Sequence, residues 1–207
     1  MAKLNVNPNR MELSKLKSRL ATARRGHKLL KDKQDALIKA FLQRAREAKD
    51  LREELEKELM GCYKSFLLAR AQTLPAMLEQ ALMISGSKCN LKVTNRNVMS
   101  VVVPEYEVNQ EGSILNYGLA NSLGSLDVAL ESFTKLIPRL IELAAKEKAI
   151  KLMATEIEKT RRRVNALEHV MIPNLVETIK YITMKLDEQE RSTLSRLMKI
   201  KEIVRSH

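Results

Sequence analysis

The sequence predicts an all-α protein, a long antiparallel two-helix coiled coil with a small β-hairpin insert at the turn. The 207 residues include only 6 Gly, 5 Pro and 3% aromatic residues, whereas 30% are charged. This composition is typical of long helices and coiled coils. Apolar residues recur at helical spacing in two long stretches, and a short β-branched segment separates them.

The first helical stretch is assigned to residues 1–83. Asn9 is its predicted N-cap, and Glu12 follows three residues later as in a capping box. An apolar repeat near 3.5 residues indicates a left-handed coiled-coil seam, and a slip near Ala45 indicates a stutter. The predicted seam consists of Leu13, Leu16, Leu20, Ala23, His27, Leu30, Gln34, Leu37, Phe41, Ala48, Leu51, Leu55, Leu59, Cys62 and Phe66. His27 and Gln34 are polar positions within it, and His27 is interpreted as a register-setting or partly solvated core residue.

The insert is assigned to residues 84–118, where helical periodicity is weak. A first strand over residues 91–94 is followed by Asn95-Arg96-Asn97, a good turn sequence. A β-branched run then continues to Val103 and stops at Pro104. Because isolated hairpins are marginally stable in water, we expect this one to lie against the helices or a partner.

The second helical stretch is assigned to residues 119–207. Pro75, Pro138 and Pro173 each remove a backbone donor, and we expect each to bend its helix rather than end the apolar pattern. The apolar stripe of each helix must be shielded from water, and the simplest partner is the other helix, packed antiparallel against it. This arrangement is expected to bring residue 10 beside residue 200. The predicted seam of this stretch consists of Leu123, Leu126, Leu130, Phe133, Ile137, Leu140, Ala144, Ile150, Met153, Ile157, Thr160, Val164, Leu167, Met171, Leu175, Ile179, Ile182, Leu186, Leu197, Ile200 and Val204.

The positive charge is concentrated at the two ends of the chain. The formal net charge is +12, and residues 1–34 contain ten Lys and Arg against two Asp and Glu, while residues 159–207 contain eleven against six. If the helices pair antiparallel, these cations converge on one tip. Two interpretations stay open: the tip binds a polyanion such as nucleic acid, or it enters a protein socket lined partly by carboxylates. Insertion into lipid is not expected, because the sequence pattern leaves the basic turns no spare apolar face.

Several function classes lack their sequence signatures. The chain has no phosphate-binding Gly-rich loop, no nucleophile elbow and no His/Cys/Asp cluster with ligand spacing, so catalysis, a metal and a cofactor are not predicted. Cys62 and Cys89 form no redox or metal motif and are expected to be free thiols. No signal peptide or membrane-spanning segment is predicted.

Three segments resemble the D subunit of V-type and A-type ATPases, also called ATP synthases. The first is the N-terminal region with Asn7-Pro8-Asn9-Arg10 and Gly26-His27-Lys28 through Leu37; the second is Asn97–Val108; the third is Thr160–Glu202. The resemblance implies a non-catalytic central rotor shaft of an ATP-driven or ATP-synthesising ion-translocating complex. It also implies A and B subunits around the shaft, an F subunit beside it, and a C (or d) subunit joining it to the membrane ring. The implied location is the cytoplasmic face of the membrane.

The resemblance and the charge pattern together select candidate contact residues. The candidates for the A–B hexamer are Arg10, Lys15, Arg19, Arg24, Arg25, Lys28, Arg191, Arg196, Lys199 and Arg205. The candidates for the F subunit, or for a hairpin that regulates hydrolysis, are Val98, Val101, Val103, Pro104 and Tyr106. The alternative function is that of a basic coiled-coil scaffold or nucleic-acid-binding protein.

Overall fold

The computed structural model describes residues 6–83, 86–113 and 124–206. Its elements are α1 (Arg10–Gln72), α2 (Pro75–Met83), β1 (Ser87–Val98), β2 (Val101–Gly112), α3 (Gly124–Ala166), a π-helical turn (Leu167–Met171) and α4 (Ile172–Ser206). The predicted fold class is confirmed. Ile84, Ser85 and the expected second-helix start near Leu119 lie outside the described residues. The chain divides into two compact units, unit 1 (Met1–Ala36 with Ile157–His207) and unit 2 (Leu37–Glu156).

Helix α1 begins where the sequence indicated. The amide of Leu13 donates to the carbonyl of Asn9 at 2.9 Å, which is the first bond expected when Asn9 occupies the N-cap position. The Glu12 carboxylate accepts a hydrogen bond from Lys15 Nζ at 2.8 Å. All predicted seam positions of α1 are buried or half-buried, including the polar residues His27 and Gln34. The apolar repeat therefore located the packed face of this helix correctly.

In unit 1, the first part of α1 packs against the C-terminal helices. Leu16, Leu175 and Ile182 form a buried cluster, with smaller contributions from flanking residues on both helices. His27 Nε2 lies 3.3 Å from Glu168 Oε2, and Arg10 forms an ion pair with Glu190. As the α1 residue number rises, that of its α4 or π-turn partner falls. The pairing is therefore antiparallel.

In unit 2, the rest of α1 packs against α3, and this pairing is also antiparallel. Leu55, Cys62 and Leu136 form one buried cluster, while Ala69, Leu78 and Leu126 form a second. Charged pairs flank these clusters: Arg52 donates to Glu147 at 2.6 Å. Arg139 pairs with both Glu54 and Glu58 of α1, and its hydrogen bond to Glu58 is the main cause that raises the pKa of Arg139.

The three prolines have different effects on their helices. Pro138 lies inside a continuous α3. Pro173 follows the π-helical turn, in which the amide of Ile172 donates to the carbonyl of Leu167, five residues back. At Pro75 the expectation of a bend is wrong, because α1 ends at Gln72 and α2 begins at Pro75. The reason is that Pro suits the first position of a helix and disfavours a helical conformation in the residue before it.

The hairpin is longer than predicted, and its turn lies elsewhere. Twelve antiparallel pairs run from Ser87–Gly112 to Val98–Val101, so the turn is Met99-Ser100 and not Asn95–Asn97. Both turn residues have positive φ, 52° and 69°, as a two-residue type I′ turn requires. The β2 strand also continues through Pro104, which a two-stranded ribbon tolerates because each strand has a free edge. Val101 and Val103 are 7% and 4% exposed, and their burial outweighs the local turn preference of the asparagines.

The first prediction concerns the seam. Leu55 is 2% exposed, whereas Leu42 on the same helix is 49% exposed. We expect Leu55→Ala to lower the free energy of unfolding by about 2–5 kcal/mol, because it removes apolar contacts and leaves a cavity. Leu42→Ala serves as the matched control and should change it by less than about 0.5 kcal/mol. Urea unfolding followed by circular dichroism measures both, and equal effects of the two substitutions would contradict the assigned seam.

The second prediction concerns the turn. Met99 and Ser100 occupy left-handed φ values, which cost a non-glycine residue roughly 1 kcal/mol each. Replacing them with Asn-Gly should therefore stabilise the hairpin and slow amide exchange across β1 and β2. Asn97→Gly is the control, since glycine inside a strand is destabilising, and it should have the opposite effect. Faster exchange in the Asn-Gly variant would show that the turn is elsewhere.

Candidate partner-binding surfaces

The first candidate surface consists of the ten cations selected for an A–B hexamer. All ten side chains are exposed: Arg10, Lys15, Arg19, Arg24, Arg25, Lys28, Arg191, Arg196, Lys199 and Arg205. Arg10 is paired with Glu190 and Lys15 with Glu12. The other eight form no ion pair within the part of the chain that the structure describes. These eight cations remain available to an acidic partner.

The register of unit 1 differs from the expected one. Residue 10 was expected beside residue 200, but Arg10 pairs with Glu190. Helix α4 therefore continues for sixteen residues past this contact, to Ser206, a length of about 24 Å. The six cations of α1 lie along the paired helices, whereas the four of α4 lie beyond Glu190. The cations thus occupy two successive levels of unit 1 and do not encircle one tip.

The C-terminal part of α4 carries an apolar surface that the sequence reasoning missed. Its exposed apolar residues are Leu194, Leu197, Met198, Ile200, Ile203 and Val204, each 55–69% exposed. At 100° per residue these side chains cover more than half of the helix circumference, with cations between them. The seam assignment of Leu197, Ile200 and Val204 is wrong, because no described part of α1 extends beside them. Three earlier positions of the same predicted pattern, Leu140, Ala144 and Met171, are also exposed. The expectation that the basic turns keep no spare apolar face is likewise wrong here.

The second candidate surface is the hairpin. Val101 and Val103 are buried within this chain, while Val98, Pro104 and Tyr106 are half-buried. An open groove of about 350 Å³ separates part of the hairpin from the helices. Its lining comprises Val103–Tyr106 of β2, Arg44 and Glu47 of α1, and Glu142, Ala145, Lys146 and Ala149 of α3. The two buried valines therefore belong to the interior of unit 2, whereas the three half-buried residues and the outward face of the hairpin are accessible.

A third surface lies on unit 2, beside the seam. Met60, Tyr63 and Leu67 recur at helical spacing along α1, and their side chains are 52–65% exposed. Leu68 on α1 and Val128 on α3 are exposed apolar residues of the same unit. The ring of Tyr63 meets the edge of Phe133 at a centroid distance of 5.8 Å. The sequence pattern alone does not distinguish these residues from the seam, because apolar residues elsewhere on the same helix recur with nearly the same period.

Residues 6–83, 86–113 and 124–206 contain no group of three His, Cys, Asp or Glu side chains placed to hold a metal ion. Within the same ranges, no helix combines the length and apolarity that crossing a membrane requires.

Comparison with known proteins places this architecture in a family. A family model described as the D subunit of ATP synthase matches residues 12–202. A V-type ATP synthase D subunit from Thermoanaerobacter sp. (strain X514) is 55% identical over 206 residues, covering 99% of each chain. The chain belongs to the ATP synthase D-subunit family. Another relative of the same name, from Clostridium botulinum (strain ATCC 19397 / Type A), is 54% identical over 207 residues, covering 98% of this chain and 96% of its own.

Family membership confirms the resemblance detected in the sequence. The residues matched by the family model also include parts of all three candidate surfaces. The match begins in the first turn of α1 and ends at Glu202 in α4, so it includes the hairpin and most of the exposed end of α4. The D subunit is a non-catalytic component of a V-type ATP synthase complex, and its partners are other subunits of that complex.

The third prediction uses the two cysteines to test the burial of Cys62 in the seam against the exposure of Cys89 on the hairpin. Cys62 is buried in the seam and Cys89 is exposed on β1. We expect one thiol per native chain to react quickly with a water-soluble disulfide reagent and the second to react only after unfolding, because a buried thiol is shielded from the reagent. Cys89→Ser should abolish the fast reaction, whereas Cys62→Ser should preserve it. Two equally fast thiols in the native chain would contradict the seam position of Cys62.

Proposed function

We propose that this chain works as the central-stalk rotor of a V-type ATP synthase through the exposed end of α4. It transmits torque between ATP hydrolysis or synthesis in an A–B hexamer and ion translocation in a membrane ring. The supporting observation is the end of α4 past Glu190, which exposes both cations and apolar side chains. A surface of this kind is costly to leave in water and suits insertion into a protein partner.

The proposed contact with the A–B hexamer has an electrostatic and an apolar part. The exposed cations provide attraction without a fixed direction, and each such contact is worth only about 0.2–1 kcal/mol. The apolar side chains of α4 add a stabilisation of about 25 cal/mol for each Å² that the partner covers. We expect the socket around α4 to offer apolar surface together with carboxylates. Many weak contacts distributed around a helix favour retention in the socket without selecting one angle.

The other partners are proposed on different parts of the chain. We assign the F subunit to the hairpin, through Val98, Pro104 and Tyr106, with Val101 and Val103 holding the hairpin on the helices. The apolar area at Met60, Tyr63 and Leu67 is a second surface to which F, or the C (or d) subunit, could bind. The corresponding location is the cytoplasmic face of the membrane, within the complex and without insertion of this chain into lipid.

The alternative of a basic scaffold or nucleic-acid-binding protein is not favoured. A phosphate backbone would be bound mainly by Lys and Arg, with an affinity that falls steeply as salt rises. Such binding gives no reason for the exposed Leu197, Ile200 and Val204 between the cations of α4. Family membership points the same way.

The fourth prediction separates the electrostatic and apolar contributions to assembly. In the charge variant, Arg196, Lys199 and Arg205 become Gln; in the apolar variant, Leu197, Ile200 and Val204 become Ser. Binding of the purified chain to an A–B hexamer is measured at low and high salt. The charge variant should bind about three- to one-hundred-fold more weakly at low salt, since three exposed contacts are lost. The apolar variant should lose affinity at both salt concentrations, because salt screens charges and not apolar contacts.

The control carries Lys57→Gln and Lys64→Gln, two exposed cations of unit 2 that lie far along α1 from its start. This control should bind the hexamer as the unchanged chain does. If neither the charge variant nor the apolar variant weakens binding at any salt concentration, the end of α4 is not the contact and the proposed orientation is wrong. Tight, salt-sensitive binding to random DNA by the unchanged chain, without incorporation into the hexamer, would instead favour the alternative.

A further inference from the structure

The hairpin lies along α3, and two contacts define its direction relative to this helix. Near its base, Gln110 Nε2 donates to the backbone carbonyl of Thr134 at 3.3 Å. Nearer its tip, Val103 faces the same groove as Ala149 of α3. The strand from 103 to 110 measures about 23 Å at 3.3 Å per residue. The helix from 134 to 149 measures about 22 Å at 1.5 Å per residue. These lengths agree, so β2 runs antiparallel to α3 between the two contacts.

The burial pattern of β2 supports this placement. Near the tip the odd-numbered Val101 and Val103 are buried, whereas Pro104, Tyr106 and Val108 are the less exposed residues further along. The pairing register is unbroken over all these residues, so no bulge exchanges the inward face, and we attribute the exchange to the twist that two-stranded ribbons commonly have. Gln110 belongs to the even-numbered face that points toward α3 near the base. Its side chain is therefore oriented to reach the helix.

The acceptor of this hydrogen bond is a particular carbonyl. In an α-helix the carbonyl of residue 134 accepts a hydrogen bond from the amide of residue 138. Residue 138 is Pro, which has no amide hydrogen. The carbonyl of Thr134 is thus the one that Pro138 deprives of its helical donor, and a backbone carbonyl without a donor costs free energy unless another group reaches it. Gln110 supplies that donor.

We propose that Pro138 is the positioning residue for the hairpin, because it frees the carbonyl to which Gln110 attaches the strand. A residue with an amide hydrogen at 138 would satisfy that carbonyl within the helix and remove the reason for the contact. Gln110 is itself exposed, so its amide can exchange this bond for water without breaking any bond of α3. The hairpin base is therefore a releasable latch, while the buried valines hold the tip. This inference concerns the fold of the chain alone and does not depend on the proposed function.

The fifth prediction is a double-mutant cycle on the full-length chain, read by hydrogen–deuterium exchange of the β1 and β2 amides. Gln110→Ala should accelerate exchange about two- to ten-fold, as the loss of one neutral hydrogen bond implies. Pro138→Ala should also accelerate hairpin exchange, because the new amide competes for the Thr134 carbonyl. In the Pro138→Ala background, Gln110→Ala should have less than half of its original effect.

Two matched controls separate this latch from general destabilisation. Asn109→Ala removes a neighbouring amide side chain from the opposite face of β2 and should leave exchange unchanged. Pro173→Ala restores an amide in α4, in unit 1, and should not affect the hairpin. Circular dichroism should give the same helix content for every variant. If Gln110→Ala leaves the amide exchange of the hairpin unchanged, the proposal is overturned. It is also overturned if Gln110→Ala accelerates exchange equally with Pro and with Ala at position 138.

Discussion

The apolar seam of α1 is the contact on which the rest of the structure depends. In unit 1 it packs on α4 through Leu16, Leu175 and Ile182, and in unit 2 it packs on α3 through Leu55, Cys62 and Leu136. A helix of this length with a single apolar stripe gains most of its stability from such packing and little from intrinsic propensity. The charged pairs beside the seam are exposed, so they select register more than they add stability.

Register determines which surfaces are left for partners. Because Arg10 pairs with Glu190, α4 extends past the start of α1, and its apolar residues lack the cover that an antiparallel seam gives elsewhere. A shift of ten residues, as expected from the sequence, would have brought the start of α1 beside residue 200 and covered part of this apolar surface. The offset therefore converts apolar residues that look like seam positions into an exposed surface, without any change in their sequence pattern.

The prolines illustrate how one missing donor can have three outcomes. Pro75 begins α2, where an amide would have no helical partner in any case. Pro173 follows a π-helical turn that shifts the phase of the apolar face by one residue. At Pro138 the helix is continuous, and the carbonyl that loses its donor receives one from the hairpin. At Pro138 the outcome depends on Gln110, which the fold brings next to the carbonyl of Thr134.

The sequence by itself determined the helical class, the seam face of α1, the presence of a hairpin and the family, because each of these rests on a local period or on quoted residues. The tertiary structure decided the register, the hairpin turn and the roles of particular residues. Residues 95–97 have better turn chemistry than Met99-Ser100, but only the observed turn buries Val101 and Val103. Leu197, Ile200 and Val204 have the seam period and yet are exposed. A periodic pattern indicates which side of a helix is apolar, whereas only the tertiary structure shows whether another element packs against that side.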